Sequence, residues 1–317
     1  MTNFSLGQAW VSRVTKQNTS DVPVIGANLS PLPDAAQLKG VLRKLSLSEA
    51  AREMVRRKWL QPGTGDDKVA ERGHALFDFL FSRNAHRPAF AMFKGRRLSS
   101  QRDLIEEVST MAWVAHVTDV AQSRSHTVKF RPEAISDEFV HRLTKLSVLD
   151  DGPRKALAAV QAIGVAVVVE SGLPGMSVDG ASFHSRQAGP VLALTLRHDR
   201  LDNFWFTLLH ELGHLALHLT DPGDDVFVDS VDESVSDEQE AEAEADAFAK
   251  DGLVPRDTWL RSDARRLGSE SSVLSLAKQL GIHPSIVAGR IRYERREFRI
   301  FTDLVGIGRV RDFIFAG

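Results

Sequence analysis

Two histidines four residues apart with a glutamate between them, His210-Glu211-Leu212-Gly213-His214, are the residues of this sequence best suited to chemistry. On a helix four residues advance by about 400°, so His210 and His214 lie one turn apart on one face and can aim two imidazole nitrogens at a single ion. Glu211 sits about 100° around from His210, within reach of a water on that ion without ligating it. Zinc held in this way lowers the pKa of its water toward roughly 7 and polarises a carbonyl, while the neighbouring carboxylate takes the proton and returns it to a leaving amine. A bare His-Glu-x-x-His also occurs on exposed helix faces that bind nothing. Here Phe204-Trp205-Phe206-Thr207-Leu208-Leu209 and Leu215-Ala216-Leu217 make the helix apolar nearly all round, which predicts burial. Two histidines and a glutamate in a buried helix need partners, and a metal ion is the simplest one.

A catalytic zinc site takes three protein ligands and leaves one position open. The sequence contains no cysteine, so the third ligand must be a histidine or a carboxylate. His218 lies about 12 Å along the axis from His210, too far for one ion to join all three on an unbroken helix, and is expected to support or pack against the site from outside. Downstream, Glu240, Glu242 and Glu244 compete within an alanine-rich helix. With its apolar face centred on Ala241, Ala245, Phe248 and Gly252, Glu244 lies nearest the edge of that face, and Glu240 and Glu242 read as solvated.

The elements that must position these groups fall into two textures. Residues 17–36, punctuated by Asn18, Ser20, Pro23, Gly26, Pro31 and Pro33, read as part of an extended leader. Helical spacing follows from Leu42 to Trp59, again over Ala75–Leu80, and from near Ser99 to Ala121, with a break at Asp151-Gly152-Pro153. After Ile163-Gly164 come strand candidates at Val165–Val169, Gly180–Phe183 and Val191–Leu196, then a helix reaching Leu219 with Asp202 as its N-cap. Two helices are expected over Glu238–Lys250 and Ser272–Leu280, and the chain closes with Pro284–Arg299 and a short tail. The expected fold is α+β, a helical N-terminal part followed by a small sheet packed beside the long motif helix.

At 317 residues with 43% hydrophobic and 26% charged residues, the chain has the composition of a globular protein large enough for two domains. A net charge of −2 argues against a general binder of nucleic acid or membrane surfaces. The first residues lack the basic region and apolar run of a signal peptide, and no stretch approaches the roughly 18 apolar residues of a membrane span, so a cytoplasmic location is expected.

The string from Leu201 to His218, the segment Glu244-Ala245-Asp246-Ala247-Phe248-Ala249 with Val254-Pro255, and His283–Arg290 together resemble the ImmA/IrrE-type metallopeptidase family. They are most similar to the version found in HigA-type antitoxin-like regulators. The resemblance is strong over Ala162–Gly317 and weaker over Leu42–Gln122, where Met54–Trp59 is similar to a segment that follows the DNA-binding domain of such regulators. It implies a zincin-like domain over 151–317, preceded by a leader over 1–40 and a helical domain over 41–150. It also implies Zn2+ on His210, His214 and Glu244, with Glu211 as general base. The implied function is cleavage of a repressor-type regulatory protein in a stress-response, mobile-element or toxin–antitoxin circuit. Such regulators commonly begin with a complete helix-turn-helix domain, and residues 1–40 do not read as one. A non-catalytic regulator with a structural or sensory zinc is the competing expectation.

From Asp221 to Asp246 there are twelve acidic residues and no Lys or Arg, read as a solvated loop in preference to a flap over the cleft. Ala277–Val287 has the spacing of a helix-turn-helix and is followed by Arg290, Arg292, Arg295, Arg296 and Arg299. DNA contact there is not favoured, because the same stretch occurs within the family's catalytic domain and Glu294 and Glu297 offset the charge. Tyr293, the only tyrosine, could donate to an oxyanion but is expected to pack in the core.

Overall fold

The computed structural model describes residues 49–62, 75–76, 101–124, 128–185, 187–219, 227–228 and 236–315. The expected leader, the question of a DNA-binding unit at the N-terminus and most of the acidic stretch lie outside the described residues. Among those residues the chain runs α1 (Glu49–Arg56), α2 (Gln101–Gln122), α3 (Asp137–Lys145), α4 (Gly152–Ala162), β1 (Ala166–Val169), β2 (Gly180–Ser185), β3 (Gly189–Leu194) and α5 (Leu201–Leu217). It continues with β4 (Phe227–Val228), α6 (Ser236–Leu253), α7 (Arg256–Arg261), α8 (Asp263–Leu267), α9 (Glu270–Leu280), α10 (Pro284–Arg295) and α11 (Val310–Phe315). No described helix is long and apolar enough to cross a membrane.

The fold is α+β, built on one sheet of strand order β1-β3-β2-β4. β1 pairs parallel with β3, and β2 pairs antiparallel with both β3 and β4. The strands read as nearly continuous apolar runs because helices cover both faces of the sheet. With the period of two, Val167, Leu192 and Leu194 enter the core shared with α5, while Ala166, Val168, Ala181, Phe183, Val191 and Ala193 enter the core shared with α2. On β2 that alternation turns Gly180 and Ser182 toward α5, and both meet Glu211 there.

The first two described helices pack against the sheet. Trp113 of α2 donates through Nε1 to the Glu170 carbonyl at 2.9 Å, and Arg124 donates to the Val167 carbonyl at 2.6 Å. Arg57, just after α1, donates to Glu170 Oε1 at 3.1 Å and to the Gly172 carbonyl at 3.0 Å. The described helices before residue 150 therefore complete the sheet's core rather than building a separate one.

α5 is the central element and is buried along most of its length. Its N-cap is Arg200, with extended backbone, and not Asp202 as expected. Asp202 lies inside the first turn, where its carboxylate accepts from Arg200 Nε at 2.8 Å and Nη2 at 3.0 Å and complements the positive end of the helix dipole. α6 packs along one side of α5 and α10 crosses its N-terminal part. The crossing with α10 depends on Gly289, where a Cβ would sit 2.6 Å from Asp202 Cβ.

α9 and α10 form the helix-turn-helix shape read in the sequence, joined through Gly281 in the left-handed region at φ 59°. The half of α10 that would have to enter a groove is buried, however, since Ser285, Ile286, Val287 and Ala288 lie in the core. Its arginines are largely occupied as well. Arg290 donates to the carbonyls of Lys250 at 2.8 Å and Val254 at 2.9 Å, closing the end of α6, and Arg292 is 4% exposed.

Replacing Gly289 by alanine should lower stability. Overpacking against Asp202 costs about 1–3 kcal/mol, more than the roughly 1 kcal/mol that alanine gains over glycine in a helix. Urea unfolding should show an earlier midpoint for Gly289→Ala, and an unchanged or later midpoint would contradict this account of the crossing.

Candidate metal centre

His210 and His214 project from one face of α5, one turn apart, with their Nε2 atoms 3.0 Å from each other. Glu242 of α6 faces both, its Oε2 3.2 Å from His210 Nε2 and its Oε1 3.4 Å from His214 Nε2. Among the described residues these three side chains form the group able to hold a metal ion. Bonds of about 2.0–2.2 Å in a tetrahedral zinc site place neighbouring donors roughly 3.3–3.6 Å apart. The observed separations of 3.0, 3.2 and 3.4 Å fit that cage with small adjustment.

Electrostatics agree with a cation at this point. Burial pushes the His214 imidazole below its usual pKa, toward the neutral form that a ligand must have. Burial would raise the Glu242 carboxyl, but hydrogen bonds from His210 and His214 overcome it and hold the group at about 2. Glu242 is thus ionised across the neutral range.

Each histidine is also held through its other nitrogen, which is how proteins orient a ligating imidazole. His210 Nδ1 lies 3.2 Å from Asp246 Oδ1, and Lys250 Nζ donates to Asp246 Oδ2 at 2.6 Å. Burial works against the Asp246 carboxylate, while His210 and Lys250 draw its pKa below the ordinary value. His214 Nδ1 lies 3.2 Å from His218 Nδ1, whose Nε2 is 3.0 Å from Glu244 Oε2.

Glu211 is wholly buried and lies against β2, on the flank of α5 about 60–100° around from the two histidines. Ser182 Oγ lies 2.5 Å from its Oε2 and 2.9 Å from its backbone carbonyl, so the hydroxyl donates to the carboxylate and fixes its rotamer. Gly180 provides the space beside it, since a Cβ there would collide with Glu211 Oε1.

The structure brings His210 and His214 together on α5, but it places Glu244 against His218 and not at the histidine pair. Glu242 stands there instead, and the reason is the rotation of α6. The sequence reading centred the buried face on Phe248 and Gly252, whereas Phe248 is only half-buried and the buried stripe runs through Ala241, Ala245, Ala249 and Leu253. That turns the face by roughly 50° at about 100° per residue, bringing Glu242 to its edge and carrying Glu244 away. Asp246 then follows one turn after Glu242 on the same face, a spacing visible in the sequence once the correct glutamate is chosen. Ser182 carried no signal, because only strand register brings it to Glu211. Tyr293 is not a core residue as expected: it is 56% exposed and stacks on Phe206 at 6.3 Å, and Phe206 in turn lies 6.0 Å from His210.

A small mixed sheet lies beside the buried His-Glu-x-x-His helix, and the next helix supplies a carboxylate to the histidine pair. Residues 161–292 match the family model Peptidase_M78, the IrrE N-terminal-like domain, which supports membership of the ImmA/IrrE family for that part of the chain. The match spans β1 through most of α10 and contains all the residues of the candidate centre. No curated protein matches the sequence.

The geometry predicts that Glu242→Ala and His210→Ala lose bound metal, while Glu244→Ala keeps about one ion per chain. Metal analysis after chelator-free purification decides the point, and loss of the ion in the Glu244 variant alone would return that residue to the ligand set.

Proposed function

We propose that this protein is a zinc endopeptidase in which His210, His214 and Glu242 hold the metal and Glu211 moves the proton. The observation that carries the reading is the division of labour on α5: two histidines face the carboxylate of α6, while the intervening Glu211 stands outside that donor group in a buried pocket of its own. A three-donor set leaves room for substrate, whereas structural zinc sites are closed by four protein ligands.

When bound, zinc acidifies water and polarises a carbonyl, the chemistry that peptide hydrolysis needs. Glu211 accepts the proton of the attacking water at a carboxylate oxygen and passes it to the departing amine. The Ser182 hydroxyl steadies Oε2, so the acceptor keeps its place through the reaction. Asp246 and Lys250 fix the ring of His210, and the low dielectric of the buried site strengthens each of these contacts.

The substrate we propose is a repressor-type regulatory protein, in circuits of the kind served by the HigA-type regulators that the sequence resembles. The buried N-terminal half of α10 supports recognition of a protein partner over direct reading of DNA by that helix.

Glu211→Gln separates catalysis from a structural or sensory zinc. The variant should retain the metal and lose cleavage by about 10²–10⁴-fold, because an amide cannot accept and return the proton. The assay uses a strain carrying the cognate regulator and a reporter gene. A reporter response equal to wild type in Glu211→Gln, together with its loss in the ligand variants, would overturn the enzyme reading in favour of a sensor.

A further inference from the structure

His218 and Glu244 lie outside the donor group, yet they form a continuous chain to it. His218 is the C-cap of α5, and its backbone N–H still bonds the His214 carbonyl, so its ring folds back along the helix end onto His214. The two Nδ1 atoms meet at 3.2 Å, and His218 Nε2 meets Glu244 Oε2 at 3.0 Å. Glu244 reaches His218 from the side of α6 opposite to Glu242, with the buried stripe of Ala241 and Ala245 between them.

Hydrogen-bond chemistry gives this chain a direction. An ionised carboxylate only accepts, so the nitrogen of His218 that faces Glu244 must carry a proton. A neutral His218 protonated at Nε2 presents a lone pair at Nδ1. The nitrogen facing that lone pair, His214 Nδ1, must then donate. His214 is thereby left with a lone pair at Nε2, the atom that converges with His210 Nε2 and Glu242. Reversing any one link would put a proton on Nε2 and block ligation.

We propose that Glu244 and His218 form a tautomer relay that sets His214 for metal binding, so that Glu244 is a positioning residue acting through His218. The inference rests on the reading of His210, His214 and Glu242 as the metal-holding group. It differs from ordinary support of a ligand histidine by one carboxylate, as on the Asp246 side, because here the carboxylate acts across a second imidazole.

The test is a double-mutant cycle on the zinc dissociation constant, measured by competition with a chromophoric chelator. Loss of such outer partners typically weakens metal binding by about 10–100-fold. His218→Phe should fall in that range, Glu244→Ala should lose less, and the double variant should be no weaker than His218→Phe alone, because Glu244 then has nothing to act through. In the zinc-loaded wild type, long-range proton–nitrogen spectra should show the His218 proton on Nε2, a readout that holds even where His218→Phe fails to fold. Additive losses, wild-type affinity in both single variants, or a His218 proton on Nδ1 would each overturn the relay while leaving the metal centre standing. A wild-type chain that takes up no zinc would overturn the metal reading itself and the relay with it.

Discussion

The close crossing of α5 and α6 at Gly213 is the constraint on which the rest of the site depends. A Cβ on Gly213 would lie 3.1 Å from Ala245 Cα and 3.2 Å from the Phe248 ring, so the two helices approach as nearly as their backbones permit. The donors of Glu242 reach the histidines only because of this approach, since a carboxylate on a two-methylene stem cannot span a wider gap. The glycine inside the motif is thus a packing residue with a chemical consequence. On α6 the alanine stripe has the same function, and it leaves the polar residues on its two flanks to meet α5 on either side.

Burial makes that meeting consequential. The two imidazoles of His210 and His214 and the carboxylate of Glu211 are buried and must find partners, because each unpaired polar group there costs on the order of 1–3 kcal/mol and an unpaired charge far more. Every one of these side chains is accordingly tied: His210 to Asp246 and Lys250, His214 to His218 and Glu244, and Glu211 to Ser182. Such a set of contacts fixes the donor atoms at separations within a few tenths of an ångström of a tetrahedral zinc cage. Preorganisation of this kind is what separates a metal site from a chance cluster of acids and histidines.

The sheet contributes in a different way. Covered on both faces, it cannot shift register without moving every apolar side chain to the wrong core, so β2 is pinned with Gly180 and Ser182 under Glu211. α2, remote in sequence from the motif, closes the far face of the sheet, which is locked through Trp113 and, just after the helix, Arg124. The helices before residue 150 consequently help to hold the sheet on which Glu211 rests.

The sequence by itself determined the local chemistry. His210, Glu211 and His214 are legible because a helix has a fixed period, and their burial is legible because the flanking residues are apolar. The strands after Ile163, the long helix to Leu217 and the helical pair around Gly281 were legible for the same reason, since each is announced by its own period and its own breakers. Only the tertiary structure decided which glutamate joins the histidines, that Ser182 and Gly180 frame Glu211, that Tyr293 is exposed and that residues before 150 share the core. Those outcomes depend on how far α6 is rotated and on which strand lies beside which. A rotation of roughly 50° is within the ambiguity of any helical wheel built on alanines, because residues so small mark a buried face only weakly. Contacts between distant segments are fixed by packing the whole, and no local pattern encodes them.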